Sequence, residues 1–479
     1  LAVGPKSLPL KMVDLSSTNW LNAVQRKQRK KERPSTGMTT REIHRAAPNS
    51  RRFLTAFLSM VIFATSFSPG VTAEDLSEAL ETLVRTHKRV LAAQADVKAA
   101  EENLEVTWGD WYPNLSLTAN IGHERQQKPT GSDDTAMVPR NIETTISQKV
   151  WDFGSTNSAI RSSGLTLQQT RETLESAKQA LLLEGLTAYL NVIRANKLVN
   201  FASGSVDNIK RQAELEDAKV ARGSGLSTDV LQAKTQLAGA EARLIQSQGT
   251  LKTAVNRYRA IFGAPPADIE KMTDPRLPLE LLPQALNGAI NIAIKENPEL
   301  QASRTGAYVA REAIKKTRID EFLPTFDVSA EQKIKEDSGG TAGSQQEALI
   351  KFEATYDFNL GLTAINSLKA SQQGHIATLN RTGNTRDLIE EQTRNAWDNL
   401  ETAEANAGYL RNQADIAAEF LDLARREREL GNRSLIDVLA GETALINAAS
   451  DATSADTDVA IAVFALLNVM GQMSANIAH

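Results

Sequence analysis

The second half of this chain repeats the first. Gly223-Ser224-Gly225-Leu226-Ser227-Thr228-Asp229-Val230-Leu231 returns as Gly431-Asn432-Arg433-Ser434-Leu435-Ile436-Asp437-Val438-Leu439, 208 residues later. Ile261-Phe262-Gly263 returns as Val469-Met470-Gly471 at the same 208-residue offset. Tyr112-Pro113-Asn114-Leu115 pairs with Leu323-Pro324-Thr325-Phe326 at an offset of 211, and Trp151-Asp152-Phe153 with Tyr356-Asp357-Phe358 at 205. This period is far longer than that of a solenoid. It requires one structural unit used twice, so the content of the unit decides the fold.

Proline places the longest elements. None of the 15 prolines falls between Arg140 and Ala264, and none follows Pro324. Proline breaks helix interiors, and residues 154–222 are rich in Ala, Leu, Glu, Gln and Arg, all good helix formers. A helix over that stretch is about 100 Å long. Val230, Leu237, Leu244, Leu251 and Tyr258 recur every seven residues, beside Ala233, Ala240, Ser247, Ala254 and Ile261. The second half repeats both stripes, as Val438, Leu445, Ala452, Val459 and Leu466 beside Gly441, Ala448, Ala455, Ala462 and Val469. Heptads predict coiled-coil packing; an ordinary helical bundle is the alternative.

Four segments have period two. Leu115, Leu117, Ala119 and Ile121 alternate with polar residues, as do Ala348, Ile350, Phe352, Ala354, Tyr356 and Phe358. Shorter runs begin at Phe326 and Ile142. These predict strands with one apolar face. Residues 122–140 and 335–344 read as hairpin loops. Each half is therefore helix, β-hairpin, long helical hairpin. The first repeat spans 74–264, with its β-hairpin at 114–153 and its helical tip near 223–229. A linker covers 265–282. The second repeat spans 283–473, with its β-hairpin at 325–360 and its tip near 431–437, and 474–479 form a C-terminal tail. One helix is expected from residue 74 or 75 to Gly109, and its counterpart from Pro283 to Glu321. The fold class is α+β, mostly α. In lipid a sheet must close without a free edge, and four strands are too few to close, since about eight is the smallest known case. Several copies must share one barrel, and three would give twelve strands.

Arg51-Arg52, the apolar run at 53–66 and Val71-Thr72-Ala73 read as a secretory signal peptide within a leader of residues 1–73. The paired arginines also admit a twin-arginine reading. Residues 1–37 read as an over-extended start or as a cytoplasmic basic tail. The chain has 54 Lys+Arg and 58 Asp+Glu; residues 1–73 hold 12 and 3 of them, leaving 42 against 55, a net of −13. That balance argues against nucleic acid as a partner. With no cysteine and five scattered histidines, disulfides, thiolate metal sites and a lipidated N-terminal cysteine are excluded. No nucleophile motif, phosphate loop or cofactor motif is present, so no enzyme is expected, and carboxylates on the helix faces read as solvated.

The chain resembles the TolC-type outer-membrane efflux proteins of Gram-negative bacteria over about residues 74–473. The resemblance is carried by Trp111-Tyr112-Pro113-Asn114-Leu115-Ser116-Leu117, by residues 223–231 and by residues 431–439. It implies a homotrimer with a twelve-stranded barrel in outer-membrane lipid and a helical tunnel in the periplasm. It also implies two partners: a periplasmic adaptor (membrane fusion protein) and an inner-membrane ABC or proton-driven pump. The absence of cysteine leans toward the type I protein secretion branch, with multidrug efflux as the alternative. A soluble coiled-coil adaptor or scaffold is the competing class, but it leaves the four strands without a role.

The resemblance also implies site residues. Asp229 and Arg433 match a tip ion pair that holds the periplasmic gate closed; helix capping by Asp229 or Thr228 is the other reading. Asp437 matches a pore-facing aspartate that forms an acidic ring, which favours cations. A second aspartate of that ring is Ala440 here, and a latch tyrosine is Arg428. Gly223, Gly225, Leu226, Ser227, Gly431, Ser434 and Leu435 match adaptor-contact tips with exposed leucines; turn chemistry is the alternative.

Overall fold

The computed structural model describes residues 76–130 and 133–478. Residues 1–73, read from the sequence as a leader with a signal peptide, lie outside the described residues. The first half runs α1 (Leu76–Thr86), α2 (Lys88–Gly109), β1 (Asn114–Ile121), β2 (Glu124–Gln126), β3 (Thr135–Met137), β4 (Arg140–Trp151), α3 (Ser155–Ala221) and α4 (Ser227–Phe262). The second runs α5 (Leu286–Glu296), α6 (Pro298–Phe322), β5 (Thr325–Glu336), β6 (Ser344–Thr355), α7 (Thr363–Glu429) and α8 (Leu435–Val469). The two halves match element for element, apart from the small β2–β3 hairpin.

The helix expected first in each half is divided in two. His87 caps α2 by accepting from the Arg89 amide. Asn297 caps α6 by accepting from the amides of Glu299 and Leu300, with Pro298 at the first turn. A side-chain cap and a first-turn proline both start a new helix, so the chain bends at equivalent places.

The helices α3 and α7 have 67 residues each, about 100 Å of rod. Along α3, Leu181, Ala188, Ala195, Ala202, Ile209 and Glu216 are seven apart and all buried. The expected stripes of α4 and α8 also turn inward: Val230, Ala233, Ala240, Tyr258 and Ile261 are buried, as are Val438, Ala448, Ala452, Ala455 and Leu466. The hairpins α3–α4 and α7–α8 lie together through α3 and α8. Their shared core is built from Leu80, Leu83, Leu186, Val192, Val463, Phe464 and Leu467. By composition α8 is apolar enough to cross a membrane, yet Val463, Phe464, Leu466 and Leu467 are fully buried in protein. Each such side chain contributes about 1.5–3 kcal/mol, which accounts for the apolarity by packing. Met473 and Ile477 join the same core, so the segment read as a tail is part of it.

The sheet is antiparallel in the order β1-β4-β5-β6. Its register sets Leu115, Ile146, Ala330 and Ile350 in one apolar row across all four strands, and Thr118, Glu143, Lys333 and Glu347 in one polar row on the opposite face. The apolar face is open to the surroundings, with Leu115 66% and Ile350 79% exposed. The polar face is tied by ion pairs: Lys333 to Glu143 at 3.3 Å and to Glu331 at 2.9 Å, and Lys351 to Glu331 at 2.9 Å. Both edge strands, β1 and β6, lack an outer neighbour among the described residues. Where helices meet the sheet, Trp108, Tyr112, Trp151, Phe153, Tyr356 and Phe358 are exposed. Tyr356 and Phe358 lie past the end of β6, which stops at Thr355. At the far end, the segment expected to be a plain loop at 122–140 holds the β2–β3 hairpin. There Glu124 accepts from the Gly339 amide at 3.0 Å, so the two hairpin loops brace one another.

Candidate functional site at the helical tips

The duplicated glycines end α3 and α7 in the same way. Gly223 has φ +76° and Gly431 φ +80°. Gly223 N–H donates to the Val220 carbonyl and Ser224 N–H to Lys219, at 2.9 and 3.0 Å. Gly431 N–H donates to Arg428 and Asn432 N–H to Glu427, at 3.0 and 2.9 Å. This paired closure satisfies the last carbonyls and turns the chain back. Gly225 is needed for close approach: a Cβ there would stand 2.9 Å from the Val220 nitrogen.

The next helices start differently. Ser434 caps α8; its Oγ accepts from the Asp437 amide at 3.3 Å and donates to Asp437 Oδ2 at 2.8 Å. Leu226 precedes α4 with no side-chain cap. Thr228 does not cap that helix, but Asp229 lies in its first turn, where a carboxylate favours the helix N-terminus.

The expected ion pair is not formed within the chain. Arg433 instead binds Glu427 at 2.7 Å and lies over the Phe420 ring at 5.2 Å. Asp229 comes only to 3.9 Å of Arg428. The hairpins are joined by Arg428 and Glu216, at 2.9 Å. Glu216 also accepts from Lys219 at 2.8 Å, and Arg428 also donates to the Arg433 carbonyl at 3.2 Å. The Glu216 side chain is 4% exposed. Burial pushes its carboxyl up, but hydrogen bonds from Lys219 and Arg428, with their charges, outweigh this and hold it below its ordinary 4.5. Further along, buried Glu442 of α8 accepts from Asn208 of α3 at 2.6 Å and from Arg425 of α7 at 2.5 Å. Arg194 pairs with Asp458 at 2.7 Å. Charged rungs therefore climb from the tip between the two hairpins.

Sequence reasoning missed Glu216 and Glu442. The signal was present: Glu216 is an acid within a seven-residue stripe that is otherwise apolar.

The two tip leucines part company. Leu226 is 66% exposed, but Leu435 is 2% exposed and packs with Ile209, Ala213, Ala233, Ala240 and Leu439. The expectation of an exposed Leu435 is therefore corrected: the first turn of α8 lies against α3 and α4. At that tip Leu430 and Ile436 are the exposed apolar side chains. Gly223, Ser227, Gly431, Ser434 and Asp437 are on the surface, and Gly225 is half-buried. No group of three or more His, Asp or Glu gathers to hold a metal among the described residues.

Residues 79–264 and 289–472 match the family model of outer membrane efflux proteins, once in each half. The outer membrane efflux protein BepC of Brucella suis biovar 1 is 24% identical over 405 residues, covering 84% of this chain and 87% of BepC. The alkaline protease secretion protein AprF of Pseudomonas aeruginosa is 24% identical over 292 residues, covering 60% of each. Among solved structures, the outer-membrane channel OprN superposes with a TM-score of 0.71 at 18% identity, covering 83% of this chain and 90% of OprN.

Proposed function

This chain belongs to the outer membrane efflux protein family, non-enzymatic transport conduits of the outer membrane, and from that premise we propose that three copies close one twelve-stranded barrel above a periplasmic helical tunnel. The observation that carries this is the four-stranded sheet with one apolar face and two unpaired edges, continuous with 67-residue helices. An open edge in lipid costs several kcal/mol per unsatisfied group, and pairing β6 of one copy with β1 of the next removes every edge. Tyr409, Ile416 and Leu423 of α7, with Leu430 at its C-terminal cap, form an exposed row seven apart, which supports coiled packing between copies.

The conduit is passive; an inner-membrane pump, ABC or proton-driven, supplies the energy through a periplasmic adaptor. Gly223, Gly225, Leu226 and Ser227, with Gly431 and Ser434, form the adaptor surface, and Leu430 and Ile436 take the place of buried Leu435. Arg428 with Glu216 holds the gate within each chain. Asp229 and Arg433 act between neighbouring chains; within its own chain Asp229 has only the 3.9 Å approach to Arg428. Asp437 lines the opening. Secreted protein is the cargo favoured, supported by the likeness to a protease secretion protein. Small-molecule efflux is the second reading, supported by the longer match to an efflux protein.

The test is the native mass of residues 74–479 extracted from outer membranes. A trimer that needs detergent is expected; a monomer or dimer soluble without detergent overturns the barrel. Cargo is decided by deletion in the source cell: loss of a secreted protein supports the first reading, and drug sensitivity alone supports the second.

A further inference from the structure

A second concavity lies far from the tips, between α6 and α7. It measures about 310 Å3 and is lined by Arg304, Tyr308 and Arg311 of α6 and by His375, Leu379 and Thr382 of α7. Two hydroxyl bridges pin the helices on either side of it: Ser303 with Thr382 at 3.0 Å, and Thr317 with Ser371 at 3.1 Å. The helices run antiparallel between these pins, so Arg311 lies opposite His375 and Arg304 opposite Thr382. On each helix the lining residues sit at i, i+4 and i+7, one continuous face.

The polar groups here lack partners. Arg304, Tyr308 and Arg311 have no hydrogen-bond or ion-pair partner among the described residues, and His375 Nδ1 is buried without one. Most other arginines of the tunnel wall differ, as Arg161 with Glu312 and Arg171 with Glu101 show. Guanidinium groups are cationic and purely donors, and a concave site concentrates their potential. Such a site repels cations and favours a group with two or more oxygens, which the guanidinium fork binds bidentately. The two arginines are about 10 Å apart along the helix, within reach of one ligand between them. Arg311 lies about 20 Å of helix below the start of β5, too far for a lipid headgroup, so the ligand is a solute.

We propose that this groove binds an oxyanion, a phosphate or carboxylate, held by Arg304, Arg311 and Tyr308, with His375 forming part of the facing wall. The inference rests on the helix pair alone and not on conduction. A trimer that conducts yet binds no phosphate would overturn it and leave the channel reading standing.

The test is equilibrium dialysis of the detergent-extracted trimer against labelled inorganic phosphate at fixed ionic strength, with acetate as competitor. Saturable binding of one phosphate per chain is expected, weakened at least tenfold in Arg304→Gln/Arg311→Gln and several-fold in Tyr308→Phe. Competition by acetate places carboxylates among the ligands; its absence restricts the site to phosphate. Absence of saturable binding, or equal affinity in the variants, overturns the proposal. Should the double variant not assemble, the two single variants carry the same comparison.

Discussion

Arg428 Nη2 stands 2.9 Å from Glu216 Oε1, and this contact ties the end of α7 to the end of α3. Removing one partner of a buried pair strands the other, which costs more than the pair contributes. Arg428→Ala and Glu216→Ala should each loosen the tip by about 1–3 kcal/mol per chain. Both should raise single-channel conductance in planar bilayers. A double-mutant cycle should show strong coupling; additive effects would remove the clasp.

The same pair sets a pH dependence. Because Glu216 is held below 4.5 in the folded chain, its stabilisation is fully present above the ordinary glutamate value. It is lost as pH falls through the lowered one. Tip closure should therefore be constant from neutral pH down to that ordinary value and weaken in more acid solution. Arg428→Gln should flatten this acid limb in a conductance-against-pH series, and an unchanged limb would assign it to other carboxylates.

Gly223→Ala and Gly431→Ala place a side chain at φ +76° and +80°. The left-handed conformation costs about 1–2 kcal/mol for an L residue, so each should lower tip stability by that amount in native-state hydrogen exchange. Gly471→Ala should do more damage. Its Cβ would stand 2.6 Å from the Glu296 carbonyl oxygen, inside the core rather than at a free tip, and trimer yield should fall.

Substitutions at the tip leucines should separate surface from core. Leu226→Glu should abolish adaptor binding and leave the melting temperature unchanged. Leu435→Glu buries a carboxylate among apolar side chains and should lower stability itself. Asp437→Ala should reduce cation selectivity, read as a smaller reversal potential in a salt gradient. An unchanged potential would remove Asp437 from the pore.

The two faces of the sheet give opposite expectations. Ile146→Arg sets a charge in the apolar row, at about 2–4 kcal/mol per chain near the bilayer centre, and should block insertion. Thr145→Arg, on the polar face, should insert normally. Folding yield in detergent or lipid reports both; equal yields would contradict the assignment of faces.

The sequence alone determined what depends on local pattern. The absence of proline and the heptads laid out α3, α4, α7 and α8, period two marked the β1, β4, β5 and β6 segments, and the duplicated glycines located both tips. These signals repeat within a few residues, so a single chain displays them. The tertiary structure decided the partners. A carboxylate at position 216 reads as one solvated acid among many until α7 brings Arg428 to it across 212 residues. Arg433 went to Glu427, six residues back along the chain, because the tightly closed tip folds it onto the end of α7. Leu435 was read as exposed because a tip sequence does not reveal that α8 starts against α3 and α4. Pairings across such distances depend on how whole helices are set against one another, and no local period records that.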